Sequence, residues 1–181
     1  PSATLFSALY YFNGPTTLGS LRNIQLIRGG KKIATIDFYD YLLTGRKPMD
    51  QKLQLDDVIF IPSRHKTVTI EGEINRSGIY ELRPEEDLSD LIAMAGDLKI
   101  TAYLDRAQID RIVPFEKRAD LGMDRMYTDV NLEQVLKSED GFMLQDGDHI
   151  QIFSVLNLRQ NIVDLRGAVT RPGSFDLGES L

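Results

Sequence analysis

Val68-Thr69-Ile70-Glu71-Gly72-Glu73-Ile74-Asn75-Arg76-Ser77-Gly78-Ile79-Tyr80-Glu81-Leu82 decides how this chain is read. The same pattern returns without a gap as Val163-Asp164-Leu165-Arg166-Gly167-Ala168-Val169-Thr170-Arg171-Pro172-Gly173-Ser174-Phe175-Asp176-Leu177, shifted by 167 − 72 = 95 residues. Apolar side chains alternate at Val68, Ile70 and Ile74, and again at Val163, Leu165 and Val169. That is the period of a half-buried strand. Arg171-Pro172-Gly173-Ser174 then predicts a type II turn, with proline fixing φ at the first central position and glycine supplying φ > 0 at the second. Ser77-Gly78 fills the same two places. A second strand at 79–82, or 175–177, makes each copy a β-hairpin.

Repetition extends upstream. Leu53 to Ile61 matches Leu144 to Ile152, with 148 − 57 = 91, and Thr4 to Arg28 matches Asp87 to Arg111, with 87 − 4 = 83. The growing shift predicts loop insertions in the later copy. Asp87 is placed to cap a helix whose apolar face is Leu88, Leu91, Ile92 and Ala95, and Gly96 can take the left-handed conformation that ends it. In the earlier copy Thr4 is the cap, Leu5, Ala8, Leu9 and Phe12 the stripe, and Asn13-Gly14 the stop. Strands are predicted at 24–28, 32–36, 108–113 and 125–130, with Gly29-Gly30 as a tight turn, 114–124 as a longer charged connection and a short helix at 131–136. Asp56-Asp57 and Asp146-Gly147-Asp148 suit turns leading into the last strand of each copy.

Assembled, the pattern predicts an α+β fold of tandem β-grasp (ubiquitin-like) units, each a small mixed sheet crossed by one main helix. Residues 1–61 read as a first unit lacking its opening hairpin, 62–153 as a complete second unit, and 154–181 as a linker with the opening hairpin of a third. The ends have the look of an excised fragment and are complementary, so copies are expected to complete one another by strand exchange.

Composition bounds the function. The chain has 181 residues, with 21 Lys+Arg against 27 Asp+Glu and a net charge of −6, which argues against a nucleic-acid partner. It contains no cysteine, so disulfides, thiolate zinc sites and cysteine nucleophiles are excluded. No run of about 18 apolar residues predicts a membrane-spanning helix.

Three segments together resemble a known family: Leu-x-x-x-Asp-Val-Ile-Phe-Ile-Pro at 53–62, Ile-Glu-Gly-Glu-Ile-Asn-Arg-Ser-Gly-Ile-Tyr-Glu-Leu at 70–82, and Asp-Leu-Ser-Asp-Leu-Ile-Ala-Met-Ala-Gly at 87–96. They are similar to the soluble-ligand-binding β-grasp (SLBB) repeat of bacterial polysaccharide biosynthesis and export proteins. Gly167 to Gly173 repeats the most specific part, and Gly19 to Ile24 has the family's look. Asp97 departs from the pattern where a second Gly usually follows Ala-Gly, and Ser77 where Pro is usual; both substitutions read as conservative for the backbone. The resemblance implies a periplasmic module of an outer-membrane translocon for capsular or exopolysaccharide, acting in subunit packing and polysaccharide passage. Its implied partners are other copies in a ring, the polysaccharide, and an inner-membrane polysaccharide co-polymerase. The alternative is a saccharide-binding module with no pore role.

No constellation points to catalysis, a cofactor or a metal. Asp146-Gly147-Asp148 lacks the carboxylate spacing of a calcium loop. His65 and His149 fall in different copies. Glu71 and Glu73 have the spacing of paired glycosidase carboxylates, but Arg166 and Ala168 stand there in the other copy, so a charged solvent face is expected. The candidate contact residues are Tyr10 and Tyr11, whose rings can stack on sugars or on a neighbouring unit, and Arg76 and Arg171 at the hairpin tips. A tip guanidinium can grip an acidic sugar or a carboxylate of an adjacent subunit.

Overall fold

The computed structural model describes residues 3–47, 50–138, 140–157 and 161–176, and its architecture is α+β with mixed sheets and few helices. Among these residues no helix is long and apolar enough to cross a membrane. In the first half, helix α1 (Leu5–Tyr11) starts at Thr4, whose hydroxyl accepts from the Ser7 amide while the Ser7 hydroxyl accepts from the Thr4 amide. This reciprocal cap satisfies donors that a helix start leaves unpaired. Leu5, Ala8 and Leu9 are buried as their spacing predicts. Phe12 is not: the helix ends at Tyr11, Phe12 is the C-cap residue and points to solvent, and Phe6 is buried in its place. The helix packs on a three-stranded antiparallel sheet, ordered β2-β1-β3, of β1 (Ile24–Arg28), β2 (Lys31–Ile36) and β3 (Val58–Phe60). Gly29 and Gly30, at φ 55° and 73°, make the predicted tight turn between β1 and β2. Helix α2 (Phe38–Thr44), capped by Asp37, leads toward β3.

The second half holds β4 (Thr67–Gly72), β5 (Gly78–Glu81), helix α3 (Leu88–Met94), β6 (Ala102–Ile112), helix α4 (Phe115–Leu121), β7 (Arg125–Val130), helix α5 (Leu132–Lys137) and β8 (His149–Ser154). Its sheet runs β5-β4-β8-β6-β7, with β4 and β8 parallel and the other pairs antiparallel. The Asp87 carboxylate accepts from the Ser89 and Asp90 amides, and Asp90 returns the bond to the Asp87 amide. Leu88, Leu91, Ile92 and Ala95 are buried against Val68, Ile70, Ile109 and Ile150. Each large side chain so buried contributes roughly 1.5 to 3 kcal/mol. The connection at 114–124, expected as a loop, forms α4: it buries none of its residues and closes on Gly122 at φ 64°. An inserted segment of charged helix-formers can thus wind up in solvent without disturbing the sheet. Finally β9 (Ile162–Leu165) and β10 (Gly173–Asp176) pair, among the described residues, only with each other. The expected end of the last strand, Leu177, lies outside the described residues.

Several backbone bonds of the first half recur in the second. Leu5 N donates to Gln51 O at 2.9 Å and Leu88 N to Phe142 O at 3.0 Å. Both main helices end alike, with Asn13 N to Tyr10 O and Gly14 N to Leu9 O matching Gly96 N to Ala93 O and Asp97 N to Ile92 O. Both residues of each pair have positive φ: Asn13 60° and Gly14 67°, Gly96 78° and Asp97 67°. Asp97 therefore stands in a left-handed position, which explains why glycine suits it. The hairpin turn differs from expectation. Gly78 keeps a negative φ because it already pairs with Ile70 as the first residue of β5. Gly173, at φ 156°, is far from the roughly +80° a type II turn needs there. Positive φ falls instead on Gly72, at 94°, where an added Cβ would lie 2.0 Å from the Ile152 carbonyl oxygen.

A second duplicated device is hidden in the predicted turns. Arg28 reaches both oxygens of Asp57 at 2.8 Å and also donates to Lys52 O. Arg111 grips Asp148 in the same two-pronged way at 2.9 and 2.7 Å and donates to Met143 O. Each carboxylate also accepts a turn amide, Gln54 N or Gln145 N, at 2.8 Å. These clamps tie the first central strand of each half to the turn that launches its last strand. The hydrogen bond from Arg28, with that from the Gln54 amide, lowers the Asp57 pKa from 3.8 to about 2. A carboxyl whose folded pKa is depressed stabilises the fold above its ordinary range and loses that contribution as it protonates. Acid unfolding of the native chain should therefore show lost stability between about pH 4 and the folded value of about 2. Asp57→Asn should remove that component from a urea-stability profile against pH. In the same assay Gly72→Ala should cost about 3 kcal/mol or more, since both φ and the approach of Ile152 O forbid a Cβ. Gly29→Ala, with positive φ in open space, should cost only about 1 kcal/mol.

Candidate functional site

Two places gather side chains beyond the needs of a minimal core. The first is the joint between the halves. Glu81, on β5, is buried, and its carboxylate accepts from Ser20 Oγ and Leu21 N at 2.8 Å each and from His65 N at 3.3 Å. Beside it, Arg22 donates to Asp37 Oδ2 at 3.0 Å, Glu86 Oε2 at 2.8 Å and the Glu81 carbonyl at 3.0 Å. Its guanidinium lies 4.0 Å from the centroid of the Tyr39 ring. Tyr39 closes the circuit, its hydroxyl accepting from the Glu81 amide at 2.9 Å, and burial pushes the phenol pKa up. Arg83 adds a second cation to Asp37, a bond that raises the arginine pKa. Tyr39 and Leu21, from the first half, pack into the core of the second. Low-dielectric surroundings make such a network costly to half-break.

The second place is an open concavity of about 690 Å³ on the first half, between α1 and α2. Phe6, Phe38 and Tyr41 form its aromatic floor, with ring centroids 5.3 to 5.7 Å apart. Lys47 Nζ stands 5.7 Å from the Phe6 and Tyr41 rings. Tyr10 and Tyr11, mutually edge-on at 6.0 Å, form the rim with Thr4, Ser7 and Asn13. The volume is that of small-molecule sites, and the lining is apolar with a few polar groups, the usual composition of a binding pocket. The second half does not repeat it. At the positions of Phe6 and Tyr10, 83 residues on, stand Ser89 and Ala93.

Of the sequence-predicted contact residues, Tyr10 and Tyr11 come together at this rim, both largely exposed. Arg76 is elsewhere: its guanidinium donates to Met94 O at 2.9 Å and lies against Gly96, clipping the hairpin tip to the end of α3. Arg171 is on the exposed tip of the last hairpin and makes no ion pair among the described residues. Glu71 lies 3.0 Å from His149 Nε2, though the angle is not that of a hydrogen bond, while Glu73 accepts from Thr101 Oγ1. The two glutamates thus have separate partners. Asp148, of the calcium-like triplet, is taken up by Arg111. No group of three His, Asp or Glu side chains converges as a metal site among the described residues.

Sequence reasoning missed the joint. No local signal marks it: in β5 the apolar Ile79 is exposed and the charged Glu81 buried, the reverse of the polarity that a strand's sequence leads one to expect. Glu81→Ala should strand the Ser20, Leu21 and His65 donors and cost about 2 to 4 kcal/mol. Urea unfolding should split into two transitions, and limited proteolysis should cut faster in the 62–66 connection.

Comparison with curated proteins gives no match. Comparison with family models gives one, over the β4-β5 hairpin, α3, β6 and most of β7, the stretch from which Glu81 and Glu86 grip the first half; the aromatic concavity lies outside it. The matched family is one of ligand-binding modules, not of catalysts. Residues 67–129 match the SLBB domain.

Proposed function

We propose that this chain is a saccharide-facing, non-catalytic module of a periplasmic part of an outer-membrane polysaccharide export protein, built from tandem β-grasp units. The SLBB match, the backbone bonds that recur in the two halves and the buried joint between them support a ligand-binding scaffold. The observation that carries the saccharide reading is the divergence at one place. Where the scaffold alone is content with Ser89 and Ala93, the first half places Phe6 and Tyr10 around an aromatic concavity with Lys47 above it. Aromatic faces suit the C–H faces of sugar rings, the rim hydroxyls suit sugar hydroxyls, and the lysine favours an acidic sugar. Other copies of the chain, the polysaccharide and an inner-membrane co-polymerase are the partners this reading names. The narrower reading, saccharide binding without a conduit role, rests on the same concavity.

Titration with a hexuronic-acid hexasaccharide should shift the NMR signals of Phe38, Tyr41 and Tyr11. Phe38→Ala with Tyr41→Ala should weaken binding at least about tenfold, a loss near 1.4 kcal/mol. Lys47→Ala should weaken the acidic oligosaccharide and leave a neutral one unchanged. Unmoved signals with both sugars would remove the saccharide reading. In cells, loss of the whole protein should abolish surface polysaccharide while its synthesis continues; unchanged surface polysaccharide would leave only the narrower reading.

A further inference from the structure

The second half carries a face that the core and the joint leave unused. Its helix α3 packs on one side of the sheet, where Val68, Ile70, Ile109 and Ile150 are buried. Alternate residues of the same strands point to the opposite side. Register places Thr69, His149, Asp110 and Tyr127 in one row across β4, β8, β6 and β7, and Glu71, Gln151, Gln108 and Asp129 in the next. Neighbours within a row stand about 5 Å apart and the two rows about 7 Å. Every side chain in the grid is polar. At its centre Gln108, Asp110, Tyr127, His149 and Gln151 line a shallow depression of about 180 Å³.

Sheet formation does not require these side chains. At the matching positions of the first half Gln25 answers Gln108, but Ile27, Val58 and Phe60 stand for Asp110, His149 and Gln151. The same backbone therefore carries an apolar face in one half and a polar one in the other. On the polar face each carboxylate has a basic neighbour: Glu71 lies 3.0 Å from His149, Asp110 3.3 Å from Arg125 and Asp129 3.1 Å from Arg106. What remains is hydrogen-bonding capacity. The two glutamine amides make only long bonds, 3.5 Å to Asp129 Oδ1 and 3.3 Å to Ile152 O, beyond the ordinary range for a nitrogen donor. His149 Nε2 makes none, since the nearby Glu71 oxygen lies off the bonding angle. Among the described residues it is the only buried side-chain nitrogen or oxygen without a hydrogen-bond partner. Folded proteins leave few polar atoms in that condition.

From this arrangement we infer that the outer face of β4, β8, β6 and β7 is a second saccharide subsite, one that takes an uncharged sugar residue. Sugar hydroxyls both donate and accept, so side-by-side amide, imidazole and carboxylate groups match them, while the paired charges leave little to attract an ion. Tyr127, 69% exposed at the end of its row, offers a ring face for stacking beside the depression. The depression is smaller than the roughly 300 to 1,000 Å³ of drug-sized sites, which suits one residue of a longer chain lying across an open sheet. The two halves then sort the residues of one polysaccharide, acidic beside Lys47 and neutral beside Gln108 and Gln151. The inference rests on the saccharide reading of the chain but on residues of the other half, so the two fail separately.

NMR titration of the whole chain with three neutral hexasaccharides, maltohexaose, cellohexaose and mannohexaose, tests the face. At least one should shift the side-chain amide signals of Gln108 and Gln151 and the ring signals of Tyr127 and His149. The hexuronic-acid hexasaccharide should leave those signals in place. Gln108→Ala with Gln151→Ala should weaken neutral binding at least about tenfold and leave the response of Phe38 and Tyr41 to the acidic sugar unchanged. Unmoved methyl signals of Ile70 and Ile150, on the inner face, check that this variant is folded. Silence of the face toward all three neutral sugars, with Phe38 and Tyr41 still answering the acidic one, would overturn the inference and leave the concavity's role intact. Neutral binding unaltered in the double variant would overturn it too, as would an acidic sugar that moves the face as much as a neutral one. A responding face beside a silent concavity would support the inference and remove the concavity's role.

Discussion

The carboxylate of Glu81 belongs by sequence to the second half and by bonding to the first. Buried, it is satisfied by Ser20, Leu21 and the backbone at His65, with Arg22 bound to the carbonyl of the same residue. Removing one partner while the halves stay together leaves the others buried without water or a bond, a penalty larger than an exposed contact imposes. Tyr39 makes the dependence mutual, since a side chain of the first half completes the other half's core. The two sheets are thus joined through these side chains, although each has its own helix and its own central strands.

What the sequence discloses is local. Capping residues, apolar spacing and paired glycines act within a turn or two, and so Thr4, Asp87, Gly29-Gly30 and the strands at 24–28 and 125–130 are found where their neighbours predict. Phe12 departs from the stripe because a stripe extends only as far as the helix does, and the backbone leaves the helix at Tyr11. The positive φ and the tight surroundings of Gly72 answer to a neighbour no window of sequence contains: an added Cβ there would meet the carbonyl of Ile152, eighty positions later. The arginine clamps escaped for the same cause. Asp57 and Asp148 look like ordinary turn residues until a strand brings Arg28 or Arg111 beside them. The concavity was half legible, since Tyr10 and Tyr11 stand out as aromatic, but its floor is assembled by α2.

Repetition makes divergence readable. Where both halves keep the same bond, as in the clamps and the helix ends, the bond serves the backbone. Where one half departs, another demand acts on the side chain. The aromatic group around Phe6 is one departure, and the inserted α4, which buries nothing, is another.

The lock at the joint is a third departure. Eighty-three residues beyond Arg22 the chain has Asp105, and the helix cap equivalent to Asp37 is Asn131, with Glu133 in the place of Tyr39. The position that holds the joint's cation in the first half thus holds an anion in the second, and the hairpin residue that matches Glu81, Asp176, is acidic as well. The Arg22 lock therefore belongs to one joint alone and is not a property carried by the repeated backbone.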